Sequence, residues 1–211
     1  MKLILKNVVL SALAIVAMGM ATSANAAGDK KAAINAISNH FSSVPTMTGE
    51  FIQFGPKGEQ TGGKFYIYRP GRMRLDYEDP SPLKLISNGR TLGVNNRKLK
   101  TWNFYPLNKT PLSLLLSDKI EINDKSIKSV TAGEDVTTVV MGDKRIFGDS
   151  EITLLFDPKS QELRQWTIKD AQGKETSVLI FNVEKNVKLS KTLFAIDREK
   201  KKRNRNTGGE K

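Results

Sequence analysis

Side chains able to do covalent chemistry are scarce in this chain. It has no cysteine and one histidine, His40, among 211 residues. Without cysteine there is no thiol nucleophile, no disulfide, and no thiolate site for zinc or an iron–sulfur cluster. One histidine excludes any two-histidine metal site and leaves a single candidate for a Ser-His-Asp triad. The most concentrated carboxylates are Asp76, Glu78 and Asp79, just before Pro80-Ser81-Pro82. Such groups could serve as general acid and base, but a polar hairpin end explains them fully. His40 lies beside Asn39 late in a helical pattern, where a solvated surface position suffices. No catalytic residue, metal site or cofactor is expected, and the chain is not read as an enzyme.

Arg69 is the unusual residue. The segment 64–69 alternates, and Arg69 shares its parity with Phe65 and Ile67. A guanidinium on an apolar face is costly unless it meets acceptors. The terminal carbonyls of a helix are such acceptors, and arginine offers five donors to them. A guanidinium bonded this way could latch a helix reversibly over the sheet.

The elements that would position Arg69 follow from periodicity. Residues 29–41 read as an amphipathic helix with Asp29 as N-cap, Ile34, Ile37 and Phe41 on one face, and Pro45 beyond its end. From Met47 the pattern has period 2. Strands are expected at 50–54, 64–69, 72–77, 83–87, 91–94, 99–104, 127–132, 136–141, 151–157, 162–169 and 176–183, separated by turn residues. Asn88-Gly89 suggests a type I′ hairpin. Residues 110–117 read as a short leucine-rich helix, with Thr110 as cap and Pro111 in its first turn. About eleven sequential strands make a sheet too wide to stay flat, so the fold class is mainly β, an antiparallel sheet curled into a barrel or half-barrel.

In the hairpin at Pro70, Met73, Leu75 and Tyr77 alternate with Arg72, Arg74 and Asp76. Turning Met73 and Leu75 inward leaves the charged set on a solvated outer face. The apolar set, with Phe51, Phe65 and Ile67, is either an ordinary core or the wall of a ligand cavity closed by the two helices.

The termini are of a different kind. Lys2 and Lys6, the apolar run 8–21 and Ala24-Asn25-Ala26 have the form of an export signal cleaved after Ala26. Three segments are therefore expected: a signal peptide at 1–26, one folded domain at 27–197 and a basic disordered tail at 198–211. The net charge is +12, and the tail alone carries seven basic and two acidic residues. It lacks the interleaved aromatics that stack nucleic-acid bases, and export makes nucleic acid an unsuitable partner. A solvated tail or contact with anionic headgroups are the readings that remain.

The run 63–77, with Phe65, Ile67, Arg69-Pro70-Gly71 and Met73, resembles the periplasmic outer-membrane lipoprotein carriers of the LolA type. So do Phe51-Ile52-Gln53-Phe54 before it, Leu85-Ile86-Ser87-Asn88-Gly89-Arg90-Thr91-Leu92 after it, and the 110–116 segment. The resemblance implies an incompletely closed eleven-stranded half-barrel with a helical lid, localised in the periplasm. It implies a monomeric carrier that takes acylated lipoproteins from an inner-membrane ABC-type transporter to an outer-membrane acceptor or membrane surface. Arg69 then corresponds to the lid latch. Met73 corresponds to an acyl-cavity residue, joined by Leu75, Phe51, Phe65 and Ile67. Leu112, Leu115 and Leu116 complete the acyl site from the lid, and Ile34, Ile37 and Phe41 form the lid face of the first helix. Family members often carry an aromatic after the leucine at position 92. Gly93-Val94 stands there here, which implies a thinner wall. Lidded half-barrels that sense or carry other lipids are the alternative function.

Overall fold

The computed structural model describes residues 22–119 and 125–196, with backbone only for 22–30. The expected signal sequence through residue 21 and the tail from 198 lie outside the described residues.

Helix α1 (Thr22–Ser43) precedes six strands: β1 (Thr46–Phe54), β2 (Gln60–Tyr68), β3 (Arg72–Tyr77), β4 (Leu83–Asn88), β5 (Thr91–Asn96) and β6 (Thr101–Pro106). A 3₁₀ turn (Leu107–Lys109) and the one-turn helix α2 (Leu112–Leu115) follow. The chain continues through β7 (Ile127–Ala132), β8 (Thr137–Met141), the short helix α3 (Lys144–Phe147), β9 (Glu151–Phe156), β10 (Leu163–Lys169) and β11 (Glu175–Lys185). It ends in a second 3₁₀ turn, Lys191–Phe194.

All eleven strands form one antiparallel sheet in the order β6-β5-β4-β3-β2-β1-β11-β10-β9-β8-β7. Each expected strand is present, with ends shifted by a few residues. The first and last strands pair at the middle, from Met47 opposite Lys185 to Phe54 opposite Ser177. The free edges are therefore β6 and β7, which are consecutive in the chain and do not pair. The sheet is an unclosed half-barrel, and α2 belongs to the connection between its two edges. A lid at that point needs no excursion of the chain.

Among the described residues helix α1 already runs from Thr22, so Asp29 lies inside it and cannot be the N-cap. The reason is local: Ala24, Ala26 and Ala27 are strong helix formers and continue the helix backwards. Its C-terminal end agrees with the stop at Pro45.

The concave face carries the main core. Phe51, Phe65, Ile67, Met73 and Leu75 from one half meet Val139, Leu154, Phe156 and Trp166 from the other. The convex face is not the fully solvated surface the alternation implies. The turn Lys191–Phe194 crosses it and packs on β3 and β4. Phe194 is buried, edge-on to Tyr68 at 6.2 Å, and Arg74 Nη1 donates to the Leu193 carbonyl at 3.2 Å. Beneath this strap Arg74 also pairs with Asp76 at 2.7 Å, and Lys84 reaches Asp76 at 3.4 Å.

Two turn details differ from expectation. The β4–β5 turn is centred on Gly89-Arg90, because only Gly89 has positive φ (+100°). That is the hairpin form with glycine first, not the type I′ turn on Asn88-Gly89. Asn88 acts from outside the centre, its Oδ1 accepting from the Arg90 and Thr91 N–H groups. At α2, Pro111 has helical dihedrals (φ −58°, ψ −20°). Thr110 does not cap the helix, because its hydroxyl donates at 2.8 Å to the Leu107 carbonyl left by the preceding 3₁₀ turn.

Candidate functional site

Two helices fill the concave face. Helix α1 brings Ile34, Ile37 and Phe41 down onto it, and α2 brings Leu112, Leu115 and Leu116. All six are buried, in one cluster with Phe51, Phe65, Ile67, Met73 and Leu75. Every residue expected from the sequence to face acyl chains or form the lid is therefore in one place. The chain's own side chains fill the concave face. A hollow of about 600 Å³ lined by Val136, Leu155, Arg164 and Leu179 lies on the other face and contains none of them.

Arg69 stands at the rim where the lid meets the sheet, 4% exposed. Its Nη1 donates to the Val44 carbonyl at 2.8 Å, just past the end of α1. Its guanidinium carbon lies 3.7 Å from the centre of the Phe41 ring, a cation–π contact with the same helix. The Arg69 backbone N–H adds a 2.8 Å bond to the Pro45 carbonyl. Burial lowers the guanidinium pKa to about 10, and Nε has no hydrogen-bond partner among the described residues. The cation is thus held by one carbonyl and one ring. It is buried without being saturated.

The Leu-rich helix is held separately. The Gly71 N–H donates to the Leu116 carbonyl, the C-cap of α2, at 2.7 Å. Gly71 has φ +77°, and a Cβ there would lie 2.8 Å from the Gly89 Cα. Glycine is needed both for the dihedral and for the close passage of the two turns. The buried Ser87 hydroxyl fixes this turn by donating to the Gly71 carbonyl at 2.6 Å. The turn Arg69-Pro70-Gly71 therefore holds both parts of the lid, α1 through a side chain and α2 through a backbone amide.

Sequence reasoning missed several contributors. Val44 and Gly71 act through backbone groups, which no side-chain pattern reveals. Tyr77 is buried and donates to Gln53 Oε1 at 2.7 Å, and its ring meets Phe51 edge-on at 5.1 Å. Burial raises its phenol pKa well above the usual range. Trp166, Leu154 and Phe156 complete the concave face from the second half of the sheet. Their alternation was visible, but not which strands would face α2.

Gly93 does not thin the concave wall. It pairs with Ile86 and Phe104, whereas Leu92 and Val94 share register with the inward residues Ser87 and Leu85. Gly93 therefore belongs to the convex side, where a Cβ would lie 2.9 Å from the Trp102 ring. Trp102 stacks on Phe104 at 5.6 Å between ring centres, over the space the glycine leaves.

The acidic cluster at 76–79 is divided. Asp76 is paired with Arg74 and Lys84, while Glu78 and Asp79 are exposed in the loop after β3. His40 is half-buried on α1. Its pKa is lowered by burial first, then by Lys185, with Glu162 opposing and Arg69 adding a smaller effect in the same direction.

Fold and site together define a lidded half-barrel: an open antiparallel sheet with an apolar concave face, covered by two helices held at one turn. The chain belongs to the outer membrane lipoprotein carrier protein family, LolA, whose family model matches residues 42–197. It is 26% identical over 169 residues to an outer-membrane lipoprotein carrier protein of Coxiella burnetii, covering 75% of this chain and 79% of that one. A protein of the same description from Azotobacter vinelandii is 26% identical over 164 residues, covering 71% and 76%. Among solved structures, a LolA superfamily protein from Nitrosomonas europaea covers 79% of this chain and 99% of its own at 9% identity, with a TM-score of 0.43.

Proposed function

We propose that this protein is a periplasmic chaperone that shelters the acyl chains of lipoproteins released from the inner membrane and carries them to the outer membrane. The observation that carries the reading is the concave face, sealed by the chain's own Leu112, Leu115, Leu116, Ile34, Ile37 and Phe41 under a buried cationic latch. Family membership supports the same role in general.

Each acyl methylene removed from water contributes about 0.8 kcal/mol. Two or three long chains therefore amount to tens of kcal/mol, so free lipoprotein does not cross an aqueous space unaided. A carrier must cover that surface and still release it. In the empty state the lid residues cover the same apolar face, so cargo gains only the difference between its own burial and theirs. Opening costs the Arg69–Val44 bond, the Phe41 contact and the Gly71–Leu116 bond, which further weakens net binding. Loading and release are thus brought close to balance by packing, without nucleotide hydrolysis or bond chemistry on this chain. The partners in this reading are an ABC-type transporter that releases the lipoprotein and an acceptor or membrane surface that receives it.

The test adds the processed protein to spheroplasts making a labelled triacylated lipoprotein. Label should appear in the soluble fraction as a one-to-one complex. If no label is released but lipid is extracted from the purified protein, the cargo is a different lipid. If neither occurs, the concave face is simply a core.

A further inference from the structure

Leu99 is the most exposed large apolar residue among those described, at 67%. It lies at the tip of the β5–β6 hairpin, between the exposed Lys98 and Lys100. A lone exposed leucine is ordinary, but this loop is built to hold one. The Leu99 N–H donates to Asn96 Oδ1 at 3.0 Å, and Asn95 Nδ2 donates across the base to the Thr101 carbonyl at 2.9 Å. Arg97 clamps the loop to its neighbour, its N–H donating to Pro82 O at 2.8 Å and its Nη2 to Ser81 O at 2.8 Å and Tyr77 O at 3.2 Å. Lys100 has φ +54°, an uncommon backbone state for a lysine. The loop thus spends side-chain bonds and an unusual dihedral to hold an apolar tip in water.

Charge points to the partner. Residues 46–109, containing β1–β6, carry eleven basic and five acidic side chains. Residues 125–196, containing β7–β11, carry eleven basic and ten acidic. The excess of positive charge in the folded body is therefore concentrated in the half that bears Leu99. Close to the tip the balance is smaller: Arg97 is committed to carbonyls, and Glu78 and Asp79 stand in the loop it grips. Leucine burial must be the main local contribution, with long-range attraction from the half as a whole.

We propose that the β5–β6 hairpin is a membrane-docking tip that inserts Leu99 into the headgroup–acyl boundary of an anionic bilayer, with Lys98 and Lys100 at the headgroups. Docking would bring the carrier to the surface where cargo is exchanged. That consequence rests on the carrier reading, while vesicle binding itself does not.

The experiment is sedimentation of the protein, expressed from its whole coding sequence, with phosphatidylcholine vesicles containing phosphatidylglycerol and with pure phosphatidylcholine vesicles. The protein should bind the anionic vesicles. Leu99→Ala should weaken binding about tenfold, from partial loss of one leucine's burial, and Leu99→Glu should abolish it. Lys98→Glu with Lys100→Glu should remove the preference for phosphatidylglycerol. All these positions are exposed, so thermal midpoints should stay put, and uptake of a fluorescent fatty acid by the concave face should be unaltered. Failure of the native protein to bind anionic vesicles, or undiminished binding by Leu99→Glu, overturns the proposal. Loss of fatty-acid uptake in the native protein would instead count against the carrier reading.

Discussion

Arg69 donates to the carbonyl of Val44 across 25 positions of sequence, with its guanidinium on the ring of Phe41. A single buried cation thus ties the C-terminal end of α1 to the turn that also holds α2 through Gly71. The two helices share one anchor, so a disturbance there is felt by both.

Replacing Arg69 with leucine removes a charge-assisted bond, of the kind worth about 1.5–3 kcal/mol, together with the desolvation cost of the guanidinium. These offset each other in global stability, but only the first held α1. Arg69→Leu should leave the melting temperature within a few degrees of the native value. Amide exchange should accelerate in α1 and not in β2 or β11. Cargo should load and then transfer poorly. Normal delivery by this variant would refute the latch.

Met73 is 1% exposed and faces the lid from β3. Met73→Glu places a carboxylate in that face with no cation assigned to it, a cost of several kcal/mol. Lipid binding should be lost even in those preparations that remain folded by circular dichroism. Unchanged binding would show that Met73 does not line the site.

His40 gives α1 a pH dependence of known sign. Burial and the cations Lys185 and Arg69 hold its folded pKa below the ordinary 6.5, with Glu162 opposing. As pH falls below about 6.5, the unfolded chain takes up the proton first, so stability declines towards the folded pKa and then levels. Protection factors of the α1 amides, with the intrinsic pH dependence of exchange divided out, should therefore fall between neutral and mildly acidic pH. His40→Gln should flatten that response. A profile identical in both proteins would place the titration elsewhere.

Phe194 separates the core from the site. It is 1% exposed, yet it packs on the convex face against Tyr68. Phe194→Ala should cost about 3–5 kcal/mol, read as a lowered denaturation midpoint. At temperatures where the variant is folded, lipid affinity should match that of the native chain. A large loss of affinity would mean that the strap and the concave face are coupled.

Much of this was determined by the sequence alone. The two-residue period and its turn signals set eleven strands, and strict alternation put Phe65, Ile67, Arg69, Met73 and Leu75 on one face. Side-chain direction in a strand is a local property, so it can be read locally. The proline and leucines of 110–116 likewise marked a helix needing an apolar surface.

The tertiary structure decided everything that depends on which strands are neighbours. Pairing of β1 with β11 sets the free edges at β6 and β7, and so puts α2 in the connection between them. The latch acceptor is a main-chain carbonyl at Val44, and the α2 tether is a main-chain amide at Gly71. Backbone groups are alike at every residue, so only the folded path chooses among them. Gly93 became a seat for Trp102 because β6 pairs on the far side of β5. The convex strap at Phe194 depends on the segment after β11 returning to pack on β3 and β4. These relations are long-range, and periodicity carries no information about distance in space.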